Sequence, residues 1–164
     1  MFTISLFFSG DVNKASYAQR KEELQIAFQE RLGLRVFIPL PHGGNSNSGN
    51  VARKAFENIE VFSEITGFPL DLLKDLYDLA MAMSCSQKIS PKLYKKKAKA
   101  WLDRFHSNNE LNWHWFSPTV HILLEHGDEI IAILPCAPGL SSEEALEHGN
   151  KVPHSKCKMI FPAN

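Results

Sequence analysis

Apolar positions return at three- and four-residue intervals along most of the chain, the period of helices that bury one face. Leu24, Ala27, Phe28 and Leu32, with Arg20, Glu22, Glu23 and Arg31 between them, predict a helix from about Ala15 to Leu32. Gly33 follows as a left-handed cap. The period resumes in Val51, Ala52, Ala55 and Phe56, and again in Val61, Phe62 and Ile65 before Gly67. Leu72, Leu73, Leu76, Tyr77, Ala80 and Met83 continue it after Pro69, which suits a first helical turn where a missing amide hydrogen costs nothing. Ser90-Pro91 and Ser117-Pro118 are further start signals. The first leads into the stripe Tyr94, Ala98, Trp101, Leu102 and Phe105, and the second into Val120, Leu123 and Leu124 before Gly127. Only Met1 to Phe8 and Ile130 to Leu134 suggest strands, and the latter fits a short helix equally well. A mainly α fold is expected.

Between these stripes, Arg35 to Pro39 reads as a short extended piece. Pro41 to Asn50 holds three glycines and no large apolar residue, which predicts an exposed loop and the best internal boundary. The opening Met1 to Phe8 is apolar but short and has no basic flank, so it reads as a strand or buried terminus and not as a signal peptide or membrane span. A chain of 164 residues suits one domain or a segment of a larger one.

Charge changes the picture only locally. Eighteen Lys and Arg balance eighteen Asp and Glu, so any electrostatic partner must be recognised by a cluster. One cluster stands out: Lys92, Lys95, Lys96, Lys97 and Lys99 fall opposite the Tyr94, Ala98, Trp101 stripe. Such a face is either simply solvated or a phosphate contact whose binding weakens with salt. Cys85, Cys136 and Cys157 are scattered and form no C-x-x-C pair, a pattern that fits free thiols in a reducing compartment.

Two further groups bear on chemistry. His121 and His126 flank a predicted helix, and on a regular helix five residues turn through about 140° past a full turn. Both imidazoles therefore reach one metal only where the helix ends or distorts near Gly127; spacing alone leaves them as polar or capping histidines. Ser141 to Lys151 opens with a capping-box pattern and carries Glu143, Glu144, Glu147 and His148. Glu143 and Glu147 share one face, as do Glu144 and His148. A two-metal centre needs carboxylates from separated elements, so this helix alone predicts an acidic surface.

Three segments taken in order resemble a known family: Gly49-Asn50-Val51-Ala52-Arg53-Lys54, then Pro118-Thr119-Val120-His121 through His126-Gly127-Asp128-Glu129-Ile130-Ile131, then Ser142 to Lys151. The chain, from about Lys21 to Lys151, resembles the C-terminal part of the catalytic core of the V(D)J recombination-activating protein and its Transib-type transposase relatives. The resemblance implies a helical, bundle-like segment of an RNase H-like, integrase-type core with the central sheet largely missing. It divides the chain into an unmatched apolar segment at 1–14, the core-like part at 15–151 and an unmatched tail at 152–164.

In that family two aspartates and one glutamate hold Mg or Mn, and Glu147, ahead of Gly149-Asn150-Lys151, matches the glutamate, with Glu144 as the fallback. His121 and His126 match half of a structural zinc site, and Arg53 and Lys54 match a segment close to DNA. The family's aspartates and paired zinc cysteines have no counterpart in Met1 to Asn50, and Val152-Pro153 blocks the helix the family continues. The expected protein is thus a fragment or degenerate derivative of a nuclear, DDE-type DNA endonuclease and transposase, inactive alone. Its expected partners are DNA and a full-length transposase or a second copy, with no membrane. The alternative is a non-catalytic DNA-binding or protein-interaction module derived from a transposon.

Overall fold

Each apolar stripe becomes a helix in the computed structural model, which describes residues 14–39, 49–108, 111 and 118–140. In chain order these are α1 (Lys14–Leu32), α2 (Gly49–Glu57), α3 (Ile59–Thr66), α4 (Leu70–Met83), α5 (Pro91–Ser107) and α6 (Pro118–His121). A π-helical turn (Ile122–His126) runs on into α7 (Gly127–Ile133), and a 3-10 turn (Pro138–Leu140) follows. The fold is mainly helical, and no strand occurs among the described residues. Ile130 to Ile133 is helical, which settles the open choice there.

The proline start signals and the glycine stops at Gly33 and Gly67 act as the sequence predicts, with small shifts. Pro91 opens α5, the Ser90 carbonyl accepts from the Tyr94 amide at 3.0 Å, and Pro118 opens α6. Pro69 stands one residue ahead of α4, its carbonyl accepting from the Leu73 amide at 3.0 Å. Gly33 and Gly67 take left-handed backbone (φ 64° and 71°) and close α1 and α3 by donating to Gln29 and Ser63. Gly49 and Asn50 already belong to α2, so the predicted loop is shorter at that end; its residues 41–48 lie outside the described residues, as do Met1 to Phe8.

The chain forms two compact units, divided between Lys74 and Asp75 within α4, between Ser107 and Asn108, and between Val120 and His121. In the first, α3 packs on α1 and on α2. Phe62 is its centre, with the Phe28 ring at 5.7 Å and the Phe56 ring edge-on at 5.3 Å. Burying each such ring contributes roughly 1.5–3 kcal/mol. Arg31 and Glu64 pair at the surface across α1 and α3. Phe37 is buried at positive φ (58°), so the predicted extended piece is bent there.

In the second unit, α5 packs on α7 and on the π-turn. Tyr94, Ala98, Trp101 and Phe105 are buried as one stripe, and Trp101 stacks on Phe105 at 5.2 Å. Gly139 lies against the Ser84 and Cys85 backbone and donates to the Cys85 carbonyl at 3.0 Å. Cys85 is disulfide-bonded. This corrects the expectation of unpaired cysteines: the lack of a C-x-x-C spacing speaks only to local pairing, whereas a fold brings distant thiols together. No helix among the described residues is long and apolar enough to cross a membrane.

Candidate functional site

Pro118 to Ile133 is one continuous helical run with a single change of winding and a return: α, then π, then α again. Its middle, Ile122–His126, is π-helical, so the run neither ends nor stays regular at Gly127. An i→i+5 turn stacks the fifth residue over the first, as an α-turn stacks the fourth, and π-turns of this length recur at functional sites. His126 absorbs part of the extra residue by leaving helical backbone (φ −121°, ψ 0°), while Gly127 is already helical (φ −61°, ψ −36°). Gly127 is thus not the helix terminator that its place after the Leu123-Leu124 stripe suggests.

The consequence is local and chemical. The rings of His121 and His126 stand with centroids 5.5 Å apart and planes at 77°. Two imidazoles on one tetrahedral zinc, each at ~2.0–2.1 Å, have ring centres roughly 5 Å apart, close to the separation of this pair. His126 Nδ1 lies 3.2 Å from Glu129 Oε2. A carboxylate there favours the tautomer with its proton on Nδ1 and turns Nε2 into the ring's acceptor atom. His126 and Glu129 are exposed. Among the described residues no group of three His, Cys, Asp or Glu converges. The structure therefore brings two imidazoles together, against the four ligands that a structural zinc takes.

Apolar and polar contacts support the turn from α5. Tyr94 is fully buried and its hydroxyl donates to the Leu123 carbonyl at 3.0 Å. Burial, and secondarily the Asp128 carboxylate, push its phenol above the ordinary range. Lys95 reaches Asp128 at 3.1 Å, and that hydrogen bond raises the ammonium's affinity for its proton. Sequence reasoning missed Tyr94, Gly127, Asp128 and Glu129 as site residues. The usable signal was a glycine directly after the second histidine with an acid on each of the next two positions.

The other sequence-selected residues divide into two groups. Lys92, Lys95, Lys96, Lys97 and Lys99 are all exposed on α5, in the second unit. Arg53 and Lys54 are exposed on α2, in the first. Glu147 and its fallback Glu144 lie outside the described residues. In the first unit, a shallow groove of about 330 Å³ is lined by Arg20, Leu24, Ala27 and Ile65 among others and contains none of the selected residues. No protein-family model matches the chain, and no curated protein matches it at a significant level.

Proposed function

We propose that the chain is a derivative of a DDE-type transposase core, of RNase H-like ancestry, whose own function is binding and not cleavage. His121 and His126 give half of a structural zinc site. The remaining ligands, the two aspartates and the Mg or Mn ions that Glu147 would serve belong to a complete core elsewhere. The observation that carries this reading is the 5.5 Å approach of the two imidazoles on the π-turn, because an i, i+5 pair on an ordinary helix does not share an ion.

Two measurements test it. The purified chain, titrated with zinc, takes up one ion per copy, and His121→Ala or His126→Ala weakens the uptake at least about tenfold, the loss of one of two ligands. Incubated with magnesium or manganese, it leaves duplex DNA intact. Reproducible nicking that disappears in Glu147→Gln refutes the binding-only reading.

A second reading, DNA binding in the nucleus without any metal role, rests on the exposure of all five α5 lysines, of which Lys92, Lys96 and Lys99 have no ion-pair partner among the described residues. Basic side chains of this kind hold phosphates and supply position more than sequence choice. Affinity for duplex DNA then falls steeply with salt, and replacing the five lysines by Gln flattens the slope by up to about 4–5. Absence of binding at low salt removes this reading and leaves the zinc half-site standing.

A further inference from the structure

We propose that Tyr94, docked into the notch left by Gly127, is the positioning residue that holds the π-turn and thereby keeps His121 and His126 in register for one ion. The inference rests on the zinc reading but concerns a residue that no motif selects.

An inserted residue interrupts the i→i−4 ladder, and backbone groups displaced from that ladder need other partners when buried. Tyr94 supplies one. Its hydroxyl has a single proton, and the Leu123 carbonyl at 3.0 Å takes it, because the Leu79 carbonyl at 3.5 Å lies at the limit of a useful bond. Leu123 is the second residue of the π-turn, between the two histidines, so the bond fastens the widened segment itself.

The ring makes a second contact that only glycine permits. A Cβ on residue 127 would stand 2.5 Å from Tyr94 Cε1 and 2.8 Å from both Cζ and Oη. Tyr94 is 0% exposed, so a retreat of its ring moves it against other buried groups. Glycine is the poorest helix former after proline, yet here it sits inside a continuous helical run with ordinary helical angles. The close approach of the ring gives the reason. One position further along each element, Lys95 and Asp128 pair at 3.1 Å and close the same contact at the surface.

Calorimetric titration with zinc chloride tests the proposal on the wild-type chain, Tyr94→Phe and Gly127→Ala, with helicity checked by circular dichroism. Tyr94→Phe removes one oxygen, and Gly127→Ala pushes the ring out while keeping the hydroxyl. Each is expected to weaken zinc binding about tenfold, as the loss of an outer support does. In a His126→Ala background Tyr94→Phe is expected to cost nothing further, because one ligand has no register to lose. Equal loss in both backgrounds would reduce Tyr94 to a general structural role and overturn the proposal, as would wild-type affinity in Tyr94→Phe.

A nuclear Overhauser contact between the two imidazoles in the metal-free chain gives a readout independent of zinc. It is expected in the wild type and lost in folded Tyr94→Phe. Persistence in Tyr94→Phe, or absence from the folded wild type, overturns the proposal whatever the variants' stability. A wild-type chain that shows the contact, loses it in Tyr94→Phe and takes up no zinc supports the positioning role and refutes the zinc reading alone.

Discussion

Gly67 and Gly127 follow similar apolar helical runs, Val61-Phe62-Ile65 and Val120-Leu123-Leu124, and the chain treats them in opposite ways. At Gly67 the backbone turns left-handed, the amide closes on Ser63 at 2.8 Å, and α3 ends; an added Cβ would find nothing within 4 Å. At Gly127 the backbone stays right-handed, the run continues through α7, and an added Cβ would strike Tyr94. The first glycine is needed for its φ and the second for its missing side chain. A glycine after a helical stripe is therefore an ending only when no large buried ring from another helix claims its empty side.

The largest effect that would break this comparison comes from Gly127→Ala. Forcing a methyl into a filled core costs about 1–3 kcal/mol, and the loss should be relieved when Tyr94→Leu is added, because a shorter side chain vacates the notch. A stable Gly127→Ala chain in urea denaturation would contradict the notch. Gly67→Ala should cost about 1–2 kcal/mol through left-handed strain alone, with no relief from any change at Tyr94.

Next in size is Tyr94→Phe, which removes the hydroxyl that donates to the Leu123 carbonyl, at about 0.5–1.5 kcal/mol at neutral pH. This variant also sharpens the pH behaviour. The Tyr94 phenol is harder to ionise folded than unfolded, so its contribution is fully present below the unfolded value, about pH 10, and is lost as pH rises above it. Wild-type stability is therefore expected to fall more steeply than that of Tyr94→Phe above about pH 10, and parallel curves would contradict it. The smallest effect is that of Lys95→Ala: an exposed lysine paired with Asp128 is worth about 1 kcal/mol or less, and less still in high salt.

What the sequence made legible follows the same division. The apolar stripes placed α1 to α6 to within a few residues, because burial of one face decides a helix and leaves its period in the sequence, whereas Ile130 to Leu134 read equally as strand or helix. The Tyr94, Ala98, Trp101 and Phe105 stripe was visible as core, and the five lysines as its exposed opposite face. The change of winding at Ile122 to His126 was not visible. The same residues satisfy an α-turn, and what selects the wider turn is a hydroxyl and a ring from α5, some thirty positions earlier in the chain. The histidines were recognised as a conditional pair, and the condition, a distorted helix, is met by tertiary packing. Cys85 illustrates the same limit, since its disulfide has no local spacing signature.

The most direct measurement counts imidazoles on one ion. Copper(II) added at less than one equivalent to the chain, followed by pulsed electron paramagnetic resonance, distinguishes one coordinated histidine ring from two. Two rings per copper in the wild type, falling to one in His121→Ala and in His126→Ala, is the expected result. A single ring in the wild type, or two rings that survive both substitutions, would contradict the π-turn as the device that joins the pair.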